Sequence, residues 1–143
     1  MKKLLKKKNK GFSLVELIVV VLIMAIIAVA LAPQVMKWVN NARKSSDATT
    51  YKSVYSAVQL AMADKEAYNE VTTAAAAITI NLKTNGIDGF DITTYNQLHA
   101  ALQEILGTDY RTTKTKLNTY TITVTTGGAV VGDPSVLGEV VLE

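Results

Sequence analysis

From Phe12 to Ala32 the chain runs almost entirely through apolar residues, interrupted by one carboxylate, Glu16, and stopped by Pro33. About 20 apolar residues at 1.5 Å rise cross the roughly 30 Å hydrocarbon core of a bilayer, so this run predicts a membrane-crossing helix. Beyond Pro33 the apolar positions thin to a stripe. Val35, Val39 and Ala42, then Val54, Tyr55, Val58, Ala61 and Met62 fall at three- and four-residue steps around the polar stretch Arg43-Lys44-Ser45-Ser46-Asp47. The pattern predicts one helix from Phe12 to about Asp64, its first half embedded and its second half laid by one stripe on a globular head. Pro33 removes a helical hydrogen bond and crowds the carbonyl four residues back, so a kink is expected near Val29 to Pro33.

The rest of the chain predicts smaller elements. Thr72 to Asn81 contains four consecutive alanines and reads as a short helix. Asn85-Gly86 and Asp88-Gly89 mark turns. Thr94-Tyr95-Asn96-Gln97 fits a capping box, and Leu98, Ala101, Leu102, Ile105 and Leu106 form an apolar stripe that ends at Gly107, which together predict a second helix. In the last third, Tyr120, Ile122 and Val124 alternate with threonines, and Gly127-Gly128 turns the chain toward Ala129 to Val131. Gly132-Asp133-Pro134 turns it again before Glu139 to Leu142. The fold class that follows is α+β, a long N-terminal helix packed on about three antiparallel strands with a connecting helical region.

Charge changes the picture at the N-terminus. Lys2, Lys3, Lys6, Lys7, Lys8 and Lys10 crowd the first eleven residues and hold that end on the cytoplasmic side of a membrane. Glu16 lies about one turn into the apolar run, where an unpaired acid costs about 2.5 to 3.5 kcal/mol on insertion scales. A helix that only anchors has no use for it, so a partner for Glu16 is expected. The formal charge of +3 depends on the six leader lysines; without them nine basic residues face twelve acids, a net charge of −3. The high isoelectric point is therefore no argument for nucleic-acid binding. The chain has no cysteine, which excludes a disulfide staple, a thiolate metal site and a cysteine nucleophile.

A short basic leader ending in Gly11, then Phe12-Ser13-Leu14-Val15-Glu16-Leu17, then a long aliphatic helix with a proline near its end resembles the type IV pilin and pseudopilin family. The resemblance spans Lys6 to about Ala61. It implies a leader of residues 1–11, a transmembrane and polymerising half-helix of residues 12–33, and a pilin head of residues 34–143. It also implies cleavage by a prepilin peptidase between Gly11 and Phe12, and N-methylation of the new amine of Phe12. That amine would supply the charge Glu16 lacks. The two residues are four apart, stacked on one face if both are helical, and in the family this carboxylate meets the amine of a neighbouring subunit and sets the assembly register. The same likeness implies a helical homo-oligomer, an assembly platform with its ATPases, and passage from the cytoplasmic membrane to an extracellular filament on a bacterial cell. The lack of cysteine favours a Gram-positive source, since many Gram-negative pilins close their C-terminal region with a disulfide. Ala25 stands where many relatives carry glycine, and alanine resists melting of the helix by about 1 kcal/mol. Lys37 and Trp38 follow the apolar run as a candidate interface, with membrane headgroups or with protein.

Other readings are a secretory signal peptide cut after Ala28-Val29-Ala30, or a plain single-pass anchor. Both leave Glu16 unpaired, and Pro33 directly after Ala30-Leu31-Ala32 makes that later small-residue site a poor one. Within the family, a type II secretion pseudopilin and a competence pilin are the alternatives to a pilus subunit. From another class, Lys114, Lys116 and Arg111 beside Tyr110 and Tyr120 suggest a displayed adhesive or DNA-binding minor pilin, the tyrosines stacking on bases. The inventory for enzymatic chemistry is poor: His99 is the only histidine and has no companion Ser or Asp motif. Asn85, Asp88, Asp91 and Asp109 are the residues that could gather around calcium, although Asx residues beside glycine are ordinary turn formers. No cofactor is expected and no enzyme.

Overall fold

The computed structural model describes residues 11–116 and 119–133. The elements in order are α1 (Leu14–Ala61), α2 (Lys65–Thr72), β1 (Ile78–Lys83), β2 (Gly86–Asp88), α3 (Asn96–Leu106), a single 3-10 turn (Tyr110–Thr112), β3 (Tyr120–Val124) and β4 (Val130–Val131). The described residues divide into two compact units, one ending at Asn40 and one beginning at Asn41. Secondary structure is helical on both sides of Pro33, which lies inside α1.

In the second unit an antiparallel sheet runs in the order β2-β1-β3-β4. The architecture is α+β and pilin-like, with four strands among the described residues where the sequence suggests about three. The expected strand at Glu139 to Leu142, and the turn that leads into it at Pro134, lie outside the described residues. The two additional strands come from the region expected to be connector. The short helix anticipated over Thr72 to Asn81 does not form there. Helix α2 ends at Thr72, and residues from Ile78 onward form β1. The reason is a period of two that the alanine run obscures: Ile78, Ile80 and Leu82 are buried, with Thr79, Asn81 and Lys83 half-exposed between them. Ile78 pairs with Val124, Ile80 with Ile122 and Leu82 with Tyr120, so β1 is a central strand and pairing overrides the local helical preference of the alanines. The expected turn at Asn85-Gly86 closes the β1–β2 hairpin, with Gly86 at φ 136° opposite Lys83.

The core joins the inner sheet face to the stripe of α1. Val54, Val58, Ala61 and Met62 of the expected stripe are buried in one cluster with Ile78, Ile80, Leu82, Ile122 and Val124; Tyr51 and Ala57 join them, while Tyr55 is half-buried and Val35, Val39 and Ala42 are exposed. Each Val, Ile, Leu or Met among them, fully buried, contributes about 1.5–3 kcal/mol from apolar area alone. The helix stops at Ala61, short of the expected Asp64, because Asp64 caps the next one. Its Oδ1 accepts from the N–H groups of Glu66 (2.8 Å) and Ala67 (3.0 Å).

Polar side chains on α1 fasten the C-terminal third. Buried Asp47 accepts from the Lys116 N–H at 2.5 Å, and the Tyr55 hydroxyl donates to the Val130 carbonyl at 3.2 Å. The Tyr51 hydroxyl donates to the Thr121 carbonyl at 3.2 Å and accepts the Asp133 N–H, so one phenol ties β3 and the segment after β4 to the helix. These long-range bonds hold a head that has no cysteine to cross-link.

Helix α3 starts near its expected place but not by the expected cap. The Tyr95 N-cap makes no side-chain capping bond, and the Thr94 hydroxyl donates instead to Asp91 at 2.8 Å. The free N–H groups of Gln97 and Leu98 are taken by the Glu70 carboxylate of α2, both at 3.0 Å. An anion at this helix end also opposes the helix dipole favourably, so Glu70 caps α3 and docks it on α2 in one contact. Glu70→Ala is expected to lower stability by about 0.5–2 kcal/mol, the range for losing a cap, and Glu70→Gln by less, since one acceptor oxygen remains. Urea unfolding of the detergent-solubilised protein should show a lowered midpoint with an unchanged slope; an unmoved midpoint in Glu70→Ala would refute this role.

Candidate functional site

Residues 11–40 form a unit of their own, and every one of them is exposed. Phe12 is 92 % accessible, and the aliphatic side chains from Leu14 to Leu31 lie open on all sides of the helix. A helix apolar all round needs lipid or protein to cover it. This is also the one helix among the described residues long and apolar enough to cross a membrane.

The structure corrects the start of that helix. Gly11, Phe12 and Ser13 are not helical, and α1 begins at Leu14 rather than Phe12. Phe12 and Glu16 are therefore not stacked on one helical face in this chain. Instead Ser13 is the N-cap. Its carbonyl accepts the Leu17 N–H at 3.2 Å and its hydroxyl accepts the Val15 N–H at 3.3 Å, while the Glu16 carboxylate reaches back to the Ser13 N–H at 2.8 Å. This is a variant of the capping box, the hydroxyl accepting from the second rather than the third N–H of the helix. Glu16 thus has one hydrogen-bond partner inside its own chain, before any amine is released. The signal is legible as Ser13-x-x-Glu16 immediately before an apolar run, and a helix start at Phe12, two residues before Leu14, hides it.

Lys37 and Trp38 lie on α1 past Pro33, both exposed, Trp38 at 63 %. Of the candidate calcium ligands, Asp88 and Asp91 are engaged separately. Asp88 pairs with Lys83 at 2.9 Å, and Asp91 closes a turn with the N–H of Thr93 (3.0 Å) and the hydroxyls of Thr93 and Thr94 (2.8 Å each). Those bonds, the Thr93 N–H foremost, hold the Asp91 carboxyl below its ordinary range. Asn85 lies in the hairpin turn, and the carbonyl of Asp109 accepts from the Thr112 hydroxyl at 2.7 Å. Among the described residues no three His, Cys, Asp or Glu side chains come together as a metal site.

The stacking platform proposed for nucleic acid is not on the surface. Tyr110 and Tyr120 are core residues, 2 % and 8 % exposed, and the Arg111 guanidinium lies 5.9 Å from the centre of the Phe90 ring. Lys114 and Lys116 are exposed without an aromatic partner among these. His99 is half-buried on α3, its Nδ1 2.7 Å from the Tyr110 hydroxyl. The groove between α2 and α3, lined by Asp64, Glu66, Gln97, Ala100, Ala101 and Glu104, measures only about 150 Å³, below the usual size of a small-molecule site.

The exposed apolar helix, opened by a carboxylate, and the sheet-bearing head give the chain a pilin-like architecture. Residues 6–32 match the family model of the prokaryotic N-terminal methylation motif, the leader signature of type IV pilins and pseudopilins. Comparison with curated proteins and with solved structures gives no match.

Burial pushes the Tyr110 phenol above its ordinary value, with Arg111 opposing the shift. The folded chain therefore holds this proton more tightly than the unfolded one, so its contribution is constant below about pH 10 and is lost as pH rises above that. Tyr110→Phe is expected to flatten the fall of stability above about pH 10 and to cost about 0.5–1.5 kcal/mol at neutral pH through the lost His99 bond. Urea titrations at pH 7 and in alkaline buffers check both; an unaltered alkaline slope would refute the role.

Proposed function

We propose that this protein is the structural subunit of a type IV pilus-like filament. It is held in the cytoplasmic membrane by α1, cut between Gly11 and Phe12 by a prepilin peptidase, methylated at the Phe12 amine, and polymerised on the cell surface through its apolar half-helix. The observation that carries this reading is the position of Glu16, a carboxylate in an exposed apolar helix a few residues beyond the proposed cut. Residues 11–13 add support, since they are exposed and non-helical, and a peptidase needs an unwound substrate.

Assembly offers Glu16 what permanent anchoring does not, a charged partner. Covering the apolar face of α1 with neighbouring copies gains about 25 cal/mol per Å² of apolar surface removed from water. Inside lipid this gain vanishes, and van der Waals packing and buried polar pairs decide association. The amine released by cleavage then matters, because an amine of one copy against the Glu16 carboxylate of another satisfies both charges away from water. Such a pair supplies register more than net energy, since desolvation offsets much of its attraction.

Two experiments test the proposal. Gly11→Val should leave the lysine-rich leader attached, read as the intact mass of the membrane protein; a mature chain starting at Leu31 or Pro33 would instead establish a secretory signal peptide. Glu16→Val loses a cap worth about 1 kcal/mol but removes a charge that costs up to about 2.5–3.5 kcal/mol in the bilayer, so insertion should hold. In a filament the same change strands the amine, at about 3–5 kcal/mol. Processed protein should accumulate in membranes by immunoblot, while filaments in sheared surface fractions fall sharply by electron microscopy. Normal filament numbers from Glu16→Val cells would sink the proposal.

A further inference from the structure

We propose that Asn85 is a self-modifying site: the Gly86 nitrogen closes on its side-chain carboxamide, ammonia leaves, and water opens the ring to aspartate and isoaspartate, which slackens the β1–β2 hairpin as the chain ages. Asn85-Gly86 is the only Asn-Gly junction in the sequence. Asn85 lies in the Thr84-Asn85 turn between the paired residues Lys83 and Gly86. It is exposed, and among the described residues its carboxamide makes no hydrogen bond. The side chain is therefore free to bring its Cγ to the next backbone nitrogen, a reaction between bonded neighbours that needs no encounter. The bond that forms joins the Gly86 nitrogen to Cγ of Asn85, the bond that breaks is Cγ–Nδ2, and the Gly86 amide proton leaves with the ammonia. Water then adds to one of the two ring carbonyls. Breaking the new bond to Cγ leaves aspartate, while breaking the bond to the backbone carbonyl leaves isoaspartate, with an extra methylene in the main chain.

The fold itself keeps the reactive junction in place. Gly86 has φ 136°, and a Cβ added there would lie 2.6 Å from the Arg111 carbonyl oxygen, so only glycine fits. The same missing Cβ leaves the Gly86 nitrogen unshielded. Its approach to Cγ requires the Lys83–Gly86 pair to open, and that pair ends the edge strand β2, where local opening costs least. The other described asparagines, Asn40, Asn41, Asn69, Asn81 and Asn96, lie in helices or in β1, and none precedes a glycine. Asp88-Gly89 has no amide to expel, and Lys83 holds its carboxylate at 2.9 Å. Isoaspartate lengthens a turn of only two residues. The hairpin then cannot keep Gly86 both opposite Lys83 and against the Arg111 carbonyl, and the pairs Leu82 with Ile87 and Asn81 with Asp88 lose their fixed end.

The test keeps the full chain folded in detergent, in neutral buffer made with heavy-oxygen water, and samples it over weeks by digestion and mass spectrometry with fragmentation to locate the label. Residue 85 is expected to lose its amide and take up one heavy oxygen, in two products of equal mass that separate on a column as aspartate and isoaspartate. The other described asparagines are expected to keep their amides over the same period. Asn85→Gln, whose ring is larger and closes far more slowly, and Asn85→Ser, which has no carboxamide, should both remain unlabelled at residue 85. Aged wild-type protein should unfold at lower urea than fresh protein, and the two variants should show no such shift on ageing. Retention of the Asn85 amide in the folded chain, while a peptide of the same sequence converts, would overturn the proposal. Aspartate without isoaspartate would overturn it as well, because direct hydrolysis rather than ring closure would then be the route. Equal labelling at the other asparagines would remove the selectivity claimed for the junction, and an unmoved urea midpoint after complete conversion would refute the slackening of the hairpin.

Discussion

A helix that is apolar on every side and carries one carboxylate near its start cannot be satisfied by this chain alone. From Leu14 to Leu31 the aliphatic side chains have no cover, and a surface of that kind must be taken up by lipid or by protein. Lipid suits the aliphatic residues and penalises Glu16; neighbouring helices that bring a cation suit both. The capping box lowers that penalty without removing it. One bond to the Ser13 N–H orders the carboxylate, yet it leaves a full negative charge. A single chain can thus wait in a membrane, and a charged partner still has something to gain.

The head is built so that this half-helix need not contribute to its stability. Residues from Tyr51 to Met62 supply one wall of the core, and the sheet supplies the other. Where a disulfide would close such a small domain, helix-borne polar groups take its place: Asp47, Tyr51 and Tyr55 hold the C-terminal third, and Glu70 joins α2 to α3. Each such bond is worth about 1 kcal/mol net, so several spread along the chain are needed where one cross-link would give about 2–4 kcal/mol.

Much of this was legible in the residues. The apolar run, the stripe ending at Met62, the turns at Gly86 and Gly107 and the alternation of Tyr120, Ile122 and Val124 each carry their period openly, because one face of each element meets the core. What went unread depends on partners distant in sequence. β1 looked helical because Ala74 to Ala77 precede it, and only pairing with β3 reveals its period of two. The cap of α3 comes from Glu70, 27 residues before Gln97, where no local motif can show it. Tyr110 and Tyr120 looked like a surface platform beside basic residues, and burial in the core removes them from it. The capping box at Ser13 differs from these. It is local and readable, but a helix start at Phe12 places Ser13 inside the first turn and hides its capping role.

The central claim is that Glu16 pairs with the amine of a different copy of the chain. It is tested most directly by a helical reconstruction of sheared surface filaments at a resolution that shows side chains. The account predicts the Glu16 carboxylate within about 4 Å, ion-pair distance, of the methylated Phe12 nitrogen of a neighbouring subunit, with the Ser13 N–H still bonded to the same carboxylate. A map in which Glu16 meets only its own Ser13, with every Phe12 amine of neighbouring copies beyond reach, would contradict it.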